Sequence, residues 1–160
     1  MMSIRIRLLF SALLLAIALC PTQQLHAECD GANKYVIPNF KSNWYKAMEY
    51  CHYLGLRLVT VVNLDAQMAI VKAIESTDKG NGTTFWTGGN DLGDDENYHW
   101  YSTGTRITWF NWNDNPNDRY SQRQGNCVQL ILKTDSNEWR WNTAECRHNK
   151  YFICERVGNV

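Results

Sequence analysis

Apolar positions along the chain fall into three successive patterns. Leu8 to Cys20 is a mostly apolar run, preceded by Arg5 and Arg7 and followed by a polar stretch ending at Leu25-His26-Ala27. That layout predicts a secretory signal peptide over residues 1–27, cut after Ala27, with a single domain over 28–160. The run is too short to span a bilayer core and no second one follows, so no membrane insertion is expected. From Tyr35 a short strand is predicted. Helical spacing follows at Trp44, Ala47, Met48, Cys51 and Leu54, with Ser42 or Asn43 as N-cap and Gly55 as the stop. Leu58 to Val62 reads as a strand. Asn63 then caps a second helix whose predicted face is Leu64, Met68, Val71 and Ile74. That helix gives out between Ser76 and Gly82. Beyond Phe85-Trp86 the pattern shortens to strands at His99–Tyr101, Cys127–Leu132, Trp139–Trp141 and Tyr151–Cys154. Two helices followed by short strands and long loops predict an α+β fold with an antiparallel sheet.

Charge changes this picture little. The chain carries 16 basic and 16 acidic side chains. Removal of Arg5 and Arg7 with the signal leaves 14 and 16, a net charge of −2. Such balance gives no general attraction to nucleic acid. Cysteine usage says more. Cys20 leaves with the signal, and Cys51, Cys127, Cys146 and Cys154 remain as an even set in an exported chain, which reads as a disulfide framework. Four cysteines allow three pairings. Zinc ligation is disfavoured because no C-x-x-C pair is present. Cys29 is left over and points to an intermolecular bond, hence a Cys29-linked dimer, or to a free thiol. Asn81-Gly82-Thr83 is an N-glycosylation sequon, so Asn81 is expected to be modified. Catalytic signatures are missing: there is no G-x-S-x-G, no H-E-x-x-H and no phosphate-binding glycine loop. His52 and His99 read as packing or capping residues, and His148 as a solvated one. No enzyme is expected.

Several motifs together resemble the C-type lectin-like domain. Trp44, Ala47 and Cys51 match its first helix, and Trp86-Thr87-Gly88 its Trp-Ile-Gly strand. Trp100, Gly104 and Trp112 match the aromatic frame of its long loop. Asn126-Cys127-Val128, Trp141-Asn142-Thr143 and Phe152-Ile153-Cys154-Glu155 match its cysteine-bearing strands. The likeness runs from about Tyr35 to Glu155, in the manner of small secreted insect lectins. It implies the pairs Cys51–Cys154 and Cys127–Cys146.

The resemblance also places the family's calcium and sugar ligands on Asn115, Asn117, Gly125, Asn142 and Thr143. The family commonly has Glu or Gln at the first of these, Glu at the third and Asp at the fifth. Here the set carries no carboxylate, and calcium draws much of its affinity from ligand charge. Sub-millimolar calcium binding is therefore not expected at this position. Three ligands of a second family site are resembled by Asp91, Asp95 and Asp118. The first functional reading is glycan or glycoprotein recognition, with hydroxyls bonded to Asn115, Asn117, Asn142 and Thr143 and an aromatic face against the sugar ring. The alternative is calcium-independent recognition of a protein ligand on the same scaffold, with Arg119, Tyr120 and Arg123 meeting an acidic partner.

Overall fold

A computed structural model describes residues 34–79, 82–95, 97–113, 125–133 and 135–158. The expected signal, Cys29 and Asn81 lie outside these residues. Helix α1, Trp44–Tyr53, opens on Asn43, whose side-chain oxygen accepts the Lys46 amide at 3.0 Å. It closes at Gly55, which adopts φ 69°. Its inward face is Trp44, Ala47 and Cys51. Helix α2, Leu64–Glu75, opens in the same way, with Asn63 accepting the Ala66 amide at 2.8 Å.

The predicted inner face of α2 requires correction. Gln67, Ile70 and Ile74 are buried, whereas Leu64 is 56% and Met68 61% exposed. The cause is a polar residue on the core side. Gln67 donates to the Trp139 carbonyl at 2.9 Å and accepts from the Trp141 indole at 2.9 Å. That exchange satisfies two buried groups and turns the helix so that Leu64 and Met68 lie on its rim.

Strands β1 (Tyr35–Val36), β2 (Arg57–Leu58) and β8 (Cys154–Glu155) make a small antiparallel sheet in the order β1-β8-β2. The strand expected over Leu58–Val62 ends at Leu58. Beyond it the Thr60 amide turns to the Glu155 carboxylate at 3.0 Å, while the buried Val59 bonds Ile153 and Gly88 through its backbone. Glu155 is itself buried and also accepts from Arg57 and from the Thr60 hydroxyl.

The larger sheet has the order β4-β3-β5-β6, formed by His99–Trp100, Thr84–Asn90, Cys127–Lys133 and Glu138–Ala144. Strand β7, Tyr151–Phe152, joins β3 in parallel through Phe85 and Trp86. Alternation along these strands divides the core. Phe85, Val128, Leu130, Trp139 and Trp141 pack with Ile70 and Ile74 of α2. Trp86, Cys127, Ala144 and Phe152 pack with Trp44, Ala47 and Cys51 of α1.

Two disulfides close the domain, Cys51–Cys154 and Cys127–Cys146, with sequence separations of 103 and 19. By loop-closure entropy they contribute about 4–5 and about 3 kcal/mol. Among the described residues no helix is long and apolar enough to cross a membrane.

Candidate functional site

The aromatic base of the long loop is built on Trp141 of β6. Its ring is fully buried and meets Trp100, Trp109 and Trp112 edge-on, with centroids 5.4–5.7 Å apart. Each such contact contributes about 0.5–1.5 kcal/mol beyond burial. The backbone of 111–113 runs against the outer edge of β6. The Trp141 amide donates to Asn111 at 2.7 Å, and the Asn113 amide donates to Trp141 at 2.8 Å. Asn111 also donates to the Trp139 carbonyl and accepts from the Arg140 guanidinium. Above this base Phe110 stacks nearly parallel on Trp112, 5.9 Å between centroids and 21° between planes, and remains 40% exposed. The Trp112 indole N–H and the Asn113 side-chain oxygen are buried and have no hydrogen-bond partner.

Asn142 and Thr143 lie on β6 immediately after Trp141. The regular register, Gln129 opposite Asn142 and Val128 opposite Thr143, directs these two side chains to opposite faces. The side-chain oxygen of Asn142 accepts the Thr143 amide at 2.8 Å. Thr143 is buried and Asn142 half-buried. Asn115, Asn117 and Asp118 lie outside the described residues, as do Asp114, Pro116, Arg119, Tyr120 and Arg123.

Gly125, where the loop returns to β5, has a specific reason to be glycine. Its φ is 152°, a conformation that side chains rarely adopt, and an added Cβ would overlap the Ala144 carbonyl and the Glu145 amide. The backbone therefore fills the space that a carboxylate side chain would need. Asp91 is buried, accepts from the Asn126 side chain at 2.9 Å and donates its amide to the Asn126 carbonyl at 3.1 Å. Its carboxylate thus closes the loop base, a role for Asn126 that sequence reading missed. Asp95 sits in an exposed turn. Among the described residues, no three His, Cys, Asp or Glu side chains gather closely enough to hold a metal ion. Gly125, Asn142 and Thr143 supply no carboxylate, and Gly125 has no room for one. Among the described residues, this part of the expected ligand set therefore brings no negative charge to a calcium ion.

The histidines hold peripheral places. His99 shares a 2.9 Å contact with the Asn97 carbonyl through Nδ1, and His148 lies 3.5 Å from Glu145 with both side chains exposed. His52 is exposed in the last turn of α1, where a basic residue suits the helix dipole.

Comparison with known proteins bears on the whole domain. The family model for the lectin C-type domain matches residues 40–156. C-type lectin mosGCTL-7 of Culex quinquefasciatus is 41% identical over 145 residues, covering 88% of this chain and 84% of that protein. Salivary C-type lectin 1 of Aedes albopictus is 31% identical over 150 residues, covering 91% and 96%. Among solved structures, the mouse scavenger receptor C-type lectin carbohydrate-recognition domain matches with a TM-score of 0.60 at 22% identity, covering 79% of this chain and 91% of that one. That likeness speaks for the fold. The chain belongs to the C-type lectin domain family, whose members bind rather than catalyse.

Proposed function

We propose that this protein is a secreted lectin that recognises glycans or glycoproteins at the long-loop end of the larger sheet, without a tightly held calcium ion. Residues 1–27 serve as its signal peptide and Asn81 carries a glycan. The observation that carries the reading is the stacked pair of Phe110 and Trp112 packed against Trp141 of β6, with Phe110 40% exposed. A flat, partly exposed apolar ring suits a sugar, which offers C–H groups to such a face and hydroxyls around its rim. Asn142, with Asn115 and Asn117 of the loop, bonds the hydroxyls. The buried Thr143 contributes its amide, which holds the Asn142 side chain in place.

Calcium plays no part in this account. Without carboxylates, the set of Asn115, Asn117 and Asn142 should fall at or beyond the roughly 0.1–1 mM range of extracellular calcium modules. Phe110→Ala tests the aromatic role. It should weaken binding to the best glycan roughly tenfold, the equivalent of about 1.4 kcal/mol, while lowering the melting temperature by no more than several degrees through the lost ring contacts. Unaltered affinity would remove the stack from the site.

A further inference from the structure

A second cluster of chemistry lies by the start of β3, whereas the long-loop base adjoins its end at Asn90 and Asp91. Ser42 and Lys150 pair antiparallel through two 2.9 Å backbone hydrogen bonds, which sets Lys41 across from Tyr151. The Lys41 ammonium lies 5.3 Å from the Tyr151 ring centroid, and the Lys79 ammonium lies 5.5 Å from the same ring. The Lys150 ammonium lies 5.2 Å from the ring of Trp86, the residue that follows Tyr151's strand partner Phe85. Lys79 pairs with Asp78 at 2.9 Å, although Asp78 itself is 90% exposed. Lys41 and Lys150 have no carboxylate partner among the described residues. Burial, and then the charge of Lys41, hold the Lys150 ammonium below its ordinary value. Like charges are thus gathered on partly desolvated rings with one exposed carboxylate among them. Such an arrangement costs the fold free energy and strengthens attraction for an incoming anion.

We propose that Lys41, Lys79 and Lys150, gathered about Tyr151 and Trp86, form a second binding site that takes the sulfate groups of an acidic polysaccharide. Ammonium groups are compact point charges that read charge density more than shape, so a densely charged polymer suits them better than a single planar carboxylate. Sulfate esters keep their charge at any physiological pH. The chain as a whole carries as many acidic as basic side chains, so attraction to a polyanion must come from local clusters such as this one. The site uses no residue of the loop reading. Only the choice of a carbohydrate polymer rests on the lectin family.

Heparin immobilised on a sensor surface, titrated over a series of salt concentrations, tests the proposal. The natural protein should bind, with log affinity falling linearly against log salt. Lys41→Gln combined with Lys150→Gln should lower low-salt affinity at least tenfold and reduce that slope by about 2, one for each ammonium. The Arg pair at the same positions, which keeps the charges, should restore binding. Lys41→Gln alone alters an exposed side chain and should lose about half the slope change. Lys72→Gln on α2 and Phe110→Ala at the loop should leave heparin binding as it was, so the two sites fail separately. Absence of heparin binding, or equal binding by the Gln pair, would overturn the site. Equal binding of desulfated heparin or polyglutamate would overturn its assignment to sulfated polysaccharide.

Discussion

Gly125 shows how one residue can decide what a loop is able to bind. From the sequence, Gly125 looked like a ligand position that had lost its side chain, which invites restoring Glu there to regain calcium. The structure argues against that repair, because the return of the loop packs its backbone directly on Ala144 and Glu145. Gly125→Glu should therefore cost about 2 kcal/mol or more and create no calcium site. Thermal melting and calcium calorimetry on that variant check both halves, and a stable protein that gains sub-millimolar binding would contradict the reading. Residue-level signals were legible where they were local. Asn43 and Asn63 announce the two helix starts because an N-cap needs only the next three residues. Gln67 was illegible for the opposite reason, since its partners Trp139 and Trp141 lie more than 70 residues away.

At the scale of elements, α2 separates periodicity from burial. Leu64, Met68, Val71 and Ile74 share helical spacing, but tertiary contacts turn the helix so that Ile70 and Ile74 meet the sheet. Ile70→Ala should then cost about 2–5 kcal/mol, whereas Met68→Gln should stay within about 0.5 kcal/mol of the natural protein. Denaturant unfolding of the two variants decides between the faces, and a costly Met68→Gln would reverse the assignment. The strands show a related limit. Runs of β-branched residues predicted Leu58 to Val62 as one strand. The Thr60 amide instead bonds the Glu155 side chain, and no local pattern encodes a partner 95 residues away.

The whole molecule was legible as an α+β lectin-type domain because its Trp, Gly and Cys motifs occur in a specific order. The split of the core by the larger sheet, and the lysine cluster beside Tyr151, required three-dimensional pairing between Ser42 and Lys150 to become visible. That cluster carries a pH signature. Lys150 has a lower pKa in the folded protein than the ordinary 10.5, through burial and then the charge of Lys41. Between the folded value and 10.5 the unfolded chain binds more protons than the folded one, so stability rises with pH across that window and is level below it. Lys150→Met should lack this rise. The difference between natural and variant melting temperatures as pH rises towards 10.5 checks it, and a constant difference would contradict the burial of a charged Lys150.

The central claim is glycan recognition at the long-loop end without dependence on calcium, and a glycan array probed with and without a calcium chelator tests it most directly. Saturable binding to a defined set of glycans, unchanged by chelator and weakened by Phe110→Ala, is the predicted result. Binding abolished by chelator would contradict the calcium argument drawn from Gly125, Asn142 and Thr143. Silence across the array under both conditions would contradict glycan recognition itself and favour a protein ligand on the same scaffold.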